Sequence, residues 1–308
     1  MHDNDQATAF PGMGPVPFQD VAEFMVAHPI ARELVAIADE VLGYDLVARY
    51  RDSSADYSEA GQVAYLVNCL ASARWAQQEL RVRPRLLAGA SFGGRAAAIH
   101  SGALDVADGV WLTARLARLE TEYFAEHHSD VVTLSFARTP RAELDRVLTE
   151  LADWHEISCY IDDDFYMVSV RRDRLDWLRR RLRSAGGLPL YDTSPPMHVS
   201  LFGELRDRAA AEVFESVTFR DPVLPVVADQ DGSLRTTAEG VRDMVLDGLV
   251  LPVRWPDVVR SLREQGITQL CVAGPDALFG RVACTRRAFE VLSASPRLAM
   301  HSFRQQAS

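Results

Sequence analysis

Apolar and polar positions along this chain switch repeatedly between a short-run pattern and a three-to-four-residue period, and the switches outline its elements. Thr8-Ala9-Phe10 reads as a first strand running into a loop, Pro11-Gly12-Met13-Gly14-Pro15. Amphipathic periodicity predicts helices over residues 21–26, 30–41 and 60–80. Leu86-Leu87-Ala88 is another short apolar run, and the alanine-rich stretch 94–102 predicts a helix directly after it. Residues 108–124 form a further helix, with Trp111, Arg115, Leu119 and Glu122 at helical spacing.

The pattern then changes. Strands are predicted at 131–137, 157–161, 165–170 and 188–191, with helices at 140–152 and 172–182 and a turn at Asp162-Asp163-Asp164. This β-α-β-β-α-β order is the ferredoxin-like motif, and it reads as a small subdomain inserted in a larger one. Beyond it lie a helix at 209–216, a buried strand Leu224-Pro225-Val226-Val227, helices at 238–249 and 256–264, and a strand at 269–272. Strands alternating with helices imply an α/β protein whose parallel sheet is covered on both faces. The expected division is a discontinuous large subdomain, 1–127 and 199–308, around a small one, 128–198. The two ends look loose, and no repeat or linker is evident.

The chain has 308 residues and a formal net charge of −10. This length supports one large or two modest domains with a full core. The acidic balance argues against nucleic acid as the main partner. No apolar run approaches the ~18 residues of a membrane span, and the polar, acidic start Met1-His2-Asp3-Asn4-Asp5 does not read as a signal peptide. Cys69, Cys159, Cys271 and Cys284 lack metal-ligand spacing; they read as reduced, mostly buried thiols of a cytoplasmic protein, and no metal site is expected.

The candidate chemistry lies in Gly89-Ala90-Ser91-Phe92-Gly93, between the Leu86-Leu87-Ala88 strand and the helix that follows. Strand, Gly-x-Ser-x-Gly, helix is a nucleophile elbow. The tight turn presents the Ser91 hydroxyl, and the helix N-terminus offers the Phe92 N–H to an oxyanion. A serine nucleophile needs a base, and the histidines available are His2, His28, His100, His127, His128, His155, His198 and His301. His100, on the elbow helix, reads as a packing residue.

Phe10-Pro11-Gly12-Met13-Gly14, Gln62 at the start of a long helix, the Ser91 elbow, Pro196-Met197-His198, Pro252-Val253-Arg254-Trp255 and Val272-Ala273-Gly274-Pro275 occur in that order. The series is similar to the malonyl-CoA:acyl-carrier-protein transacylases and the acyltransferase domains of polyketide synthases, from about Ala9 to Leu292. The resemblance implies an α/β-hydrolase-like core with a ferredoxin-like subdomain and an active site between them. It implies ping-pong transfer through an ester on Ser91, with His198 as base. A backbone carbonyl in Gly248-Leu249, rather than an acid, would orient that base, which leaves Asp247 as a helix-end aspartate. The oxyanion donors would be the N–H groups of Phe92 and Met13, where relatives usually carry glutamine at the Met13 position, and Gln62 would reach the active site.

The departures bear on the substrate. Malonyl-type members place a carboxylate-gripping arginine on the helix after the elbow, and the matching residue here is Leu116. Arg115 and Arg118 point about 100° and about 200° away from it. A neutral or cationic acyl group is therefore expected; Glu120, one turn beyond Leu116, would pair with an ammonium group, and Met197 would line a larger pocket. Ala90 and Gly94 also differ from the residues usual there. These features resemble the stand-alone acyltransferases of macrolactam polyketide pathways, which move aminoacyl or dipeptidyl groups between carrier proteins.

That resemblance implies a discrete acyltransferase with donor and acceptor acyl carrier proteins as partners. No cofactor would be bound, since the carrier's phosphopantetheine arm brings the substrate. The arginine-rich segment of the small subdomain, with Arg172, Arg179, Arg180 and Arg183, is the candidate carrier-docking surface. Three other readings stay open: a malonyl- or acetyl-CoA transacylase, an acyl-carrier hydrolase, and a non-catalytic docking protein.

Overall fold

A computed structural model describes residues 5–53, 57–276 and 278–306. The first four residues, with His2, and the outer limits of the expected large subdomain lie outside the described residues. Eleven strands are described: β1 (Gln6–Phe10), β2 (Leu86–Gly89), β3 (Val131–Ala137), β4 (His155–Asp162), β5 (Phe165–Arg171), β6 (Leu188–Thr193), β7 (Val226–Val227), β8 (Leu234–Arg235), β9 (Val253–Arg254), β10 (Gln269–Ala273) and β11 (Glu290–Ala294).

The large sheet runs β11-β10-β1-β2-β7-β8. Its first five strands are parallel, and β8 turns back against β7 as an antiparallel edge, so the sheet is mixed rather than wholly parallel. Helices cover both faces, which is why β1 and β2 are continuous buried runs instead of alternating ones. The helix Glu59–Glu79 lies in this core with buried residues around its whole circumference. It is not the amphipathic surface helix that its sequence suggests, because both sides meet protein. Ser58 caps it, its side chain accepting from the Gly61 N–H.

The small sheet runs β6-β3-β5-β4-β9. Its first four strands have the ferredoxin-like order and are antiparallel, with Arg141–Glu150 and Leu175–Ser184 as the helices. The fifth, β9, comes from the large half of the chain and pairs in parallel with β4, Cys159 opposite Val253 and Tyr160 opposite Arg254. The Arg254 N–H also donates to the Asp229 carbonyl, 2.6 Å away, just past β7. One short segment therefore ties the two sheets together beside the cleft.

Two expectations change. The helix expected at 209–216 is Gly203–Glu212 followed by a single 3-10 turn. The C-terminal end, expected to be loose, holds β11 and the helix Pro296–Gln306, which packs on the helix Phe18–Ala27, buries Ala299 and Met300, and is tied to that helix by an Arg304–Glu23 ion pair. Only three residues of this last helix are buried, too few for a clear hydrophobic stripe.

Candidate active site

The elbow forms as the sequence predicts. β2 ends at Gly89, the helix Gly93–His100 begins four residues later, and Ser91 between them has φ +53°. Holding a residue with a Cβ in this left-handed region costs energy, and close packing enforces it. A Cβ on Gly89 would lie 2.2 Å from the Gly93 carbonyl carbon, and one on Gly93 would lie 2.2 Å from the Phe10 carbonyl oxygen. Only glycine lets strand, helix and β1 approach this closely.

Ser91 Oγ lies 2.7 Å from His198 Nε2. His198 follows the small subdomain, also has positive φ (+66°), and donates its backbone N–H to the Leu249 carbonyl at 3.1 Å. Burial pushes its ring down to about 4, while the backbone carbonyls of Gly248 and Leu251 pull the other way. Among the described residues Nδ1 is buried without a partner at hydrogen-bonding geometry. The ring is thus neutral at pH 7, with Nε2 available to take the serine proton. Asp247 bonds to Arg206 at 2.7 Å and plays no part in orienting this histidine. His100 packs edge-on against Phe10, with ring centroids 5.5 Å apart, and burial lowers its pKa to about 4.

Met13 and Phe92 line the same cavity, of about 890 Å³, as Ser91 and His198. Among the described residues their N–H groups donate no hydrogen bond, which leaves both free for an oxyanion. The Tyr65 hydroxyl donates to the Gly12 carbonyl at 2.8 Å, and its ring meets Phe92 edge-on. One side chain therefore braces both positions.

The sequence reading missed Asp229. Its Oδ2 accepts the Ser91 N–H at 2.6 Å. The residue is 4% exposed, and burial raises its carboxyl to about 7 against the opposing pull of that N–H. The available signal was positional: a carboxylate just past a buried parallel strand stands at the carboxyl end of the sheet, where open α/β sheets bind ligands.

Behind the serine, three buried polar side chains form a closed ring. Arg95 donates to Gln62 Oε1 (3.0 Å) and to Glu120 Oε1 (2.8 Å), and the Gln62 amide donates to Glu120 Oε2 (3.1 Å). Glu120 and Gln62 both line the cavity, but the partner of Glu120 is Arg95, a residue to which the sequence reading gave no role. Leu116 is buried in the core and is not part of the cavity wall. Arg115 lies over the Trp111 ring, and Arg118 pairs with Glu59. Met197 lines the cavity and packs against the core.

The arginine segment is less uniformly basic in space than in sequence. Arg179 pairs with Asp192 and Asp176, Arg174 with Asp153, Arg181 with Glu150, and Arg171 with Asp130. Most of these acids come from neighbouring elements. Arg172 donates to the Ser129 carbonyl. Arg180 and Arg183 are exposed and make no ion pair among the described residues. Among these residues no cluster of three metal-binding side chains and no helix long and apolar enough to cross a membrane occurs. The four cysteines are free thiols, with Cys284 half-buried and the others buried.

An α/β core with a ferredoxin-like subdomain and a Ser–His pair at a nucleophile elbow defines a class of protein equipped for acyl-group chemistry. Residues 135–193 match the family model described as the VinK acyltransferase small domain. The chain is 27% identical over 297 residues to the malonyl CoA-acyl carrier protein transacylase of Escherichia coli (strain K12), covering 94% of each chain. The Coxiella burnetii malonyl CoA-acyl carrier protein transacylase has the same fold, with a TM-score of 0.84, 24% identity, and coverage of 98% of this chain and 97% of that one. A malonyl-transacylase solved in complex with its type II PKS acyl-carrier protein superposes with a TM-score of 0.82 at 25% identity, covering 97% of this chain and 100% of that chain. The chain is an acyltransferase that resembles the malonyl-CoA-acyl carrier protein transacylases over almost its whole length.

Proposed function

We propose that this enzyme transfers acyl groups to or from acyl carrier proteins through an ester on Ser91. The observation that carries the reading is the 2.7 Å contact between Ser91 Oγ and His198 Nε2, set beside two unspent backbone donors. His198 takes the hydroxyl proton as Oγ attacks the thioester carbonyl of a phosphopantetheine arm. The Met13 and Phe92 N–H groups hold the tetrahedral oxyanion. Collapse breaks the C–S bond, and the thiolate leaves with the proton from His198. A second carrier's thiol reverses these steps.

Two readings of the acyl group follow. The whole-chain relatives are named for malonyl-CoA, and their likeness gives a malonyl-CoA or acetyl-CoA transacylase the broader support. A carrier-to-carrier transferase of aminoacyl or dipeptidyl groups is favoured by a specific observation: Leu116 is buried in the core, and Arg115 and Arg118 are held elsewhere, so that helix sends no arginine to grip a carboxylate.

Intact-protein mass after mixing with malonyl-CoA, acetyl-CoA, or aminoacylated or dipeptidylated carrier separates these readings. Gain from malonyl-CoA alone supports the ordinary transacylase, and gain from the aminoacyl or dipeptidyl carrier alone supports carrier-to-carrier transfer. A protein that never gains mass but frees carrier thiols is a hydrolase, and one that does neither ends the acyltransferase reading. Carriers of this kind are acidic, so Arg172, Arg179, Arg180 and Arg183 form the proposed docking face. Arg180→Glu with Arg183→Glu is expected to raise KM for the carrier severalfold and to flatten its salt dependence. Steady-state kinetics at two salt concentrations checks this, and an unchanged KM counts against the face.

A further inference from the structure

We infer that the Arg95–Glu120–Gln62 ring is a charge lock that makes the acyl cavity select against groups carrying a free carboxylate. The inference rests on the acyltransferase reading above and deepens it by naming the substrate class. Arg95 lies one helical turn past Ser91, so its side chain leaves the same wall of the cavity. It is 9% exposed, Glu120 6% and Gln62 4%. The guanidinium also lies over the Phe92 ring, 4.9 Å from its centroid. The ring of contacts needs no ligand to complete it.

A carboxylate entering this cavity meets a cation whose charge is already matched. To reach it, the newcomer must displace Glu120 or share Arg95 with it, which leaves two carboxylates beside one guanidinium in a desolvated site. An acyl group without a carboxylate meets no such penalty. Discrimination therefore comes from a repulsive element, Glu120, and not from an absent arginine alone. Arg297 and Arg304 also border the cavity, but both are exposed on the last helix, where solvent screens their charge, and Arg304 is paired with Glu23.

Removing the charge of Glu120 leaves Arg95 as an unmatched cation in the wall, able to grip a carboxylate with two N–H groups. The test compares acylation rates of Ser91 from one carrier protein loaded with either acetyl or malonyl groups. The wild type is expected to take acetyl over malonyl by about tenfold or more, and Glu120→Gln to shift that ratio toward malonyl by about tenfold. A wild type that prefers malonyl overturns the lock whether or not the variant folds. So does a folded Glu120→Gln protein that accepts acetyl with an unshifted ratio. Acylation by neither donor, nor by an aminoacyl carrier, overturns the acyltransferase reading itself and the lock with it.

Discussion

His198→Ala is expected to slow ester formation on Ser91 by roughly 10³-fold or more, and Ser91→Ala to leave no ester at all. Oγ and Nε2 are 2.7 Å apart, so the proton has one short path, and among the described residues no second base stands at that distance. What remains in His198→Ala is the catalysis due to binding and the two oxyanion donors. Single-turnover mass spectrometry with a reactive thioester measures both, and full labelling of Ser91→Ala refutes the nucleophile. The pH dependence is equally specific. Burial holds the His198 ring at about 4, so the acid limb that belongs to this base falls near pH 4 instead of the ordinary 6.5. The same shift has a stability sign. Between about pH 4 and 6.5 the folded ring binds fewer protons than the unfolded one, so stability drops as pH falls through that window.

The elements that carry the chemistry were legible because their signals are local. Gly89, Ser91 and Gly93 mark the elbow by spacing alone, and the β-α-β-β-α-β order marks the small subdomain. The order of motifs, through the resemblance, pointed to His198, although 107 residues separate it from Ser91. What escaped depends on distant partners. β9 is two residues long and has no period to read, yet it joins the sheets. Glu120 looked available for a substrate amine because nothing in its own helix pairs with it; Arg95 reaches it from the elbow helix 25 residues earlier. The arginine run looked opposed only by Asp173 and Asp176 because Asp130, Asp153, Glu150 and Asp192 come from other elements. A periodicity argument sees the face of one element, while charge neutralisation is decided between elements.

Asp229 illustrates the same limit and yields the second large expected effect. Its carboxyl is raised from 3.8 to about 7 by burial, so between those values the folded protein holds a proton that the unfolded chain has released. Stability from this group therefore falls as pH rises from about 4 to about 7 and is level above, with a full cost of roughly 4 kcal/mol. Asp229→Asn keeps an oxygen for the Ser91 N–H and has no charge to bury. It is expected to gain stability over the wild type at pH 8 by up to about that amount, and little at pH 4. Asp229→Leu removes the acceptor and leaves the Ser91 N–H unpaired, costing about 1–3 kcal/mol. With the φ +53° backbone of Ser91 no longer held by that bond, acylation should slow by roughly 10–100-fold. Denaturant melts at pH 4 and pH 8, with single-turnover rates for both variants, check the pair of effects. An Asn variant whose stability keeps the wild-type pH slope refutes the buried-charge account. A Leu variant that acylates at the wild-type rate shows instead that the packing of Gly89 and Gly93 suffices to hold the elbow.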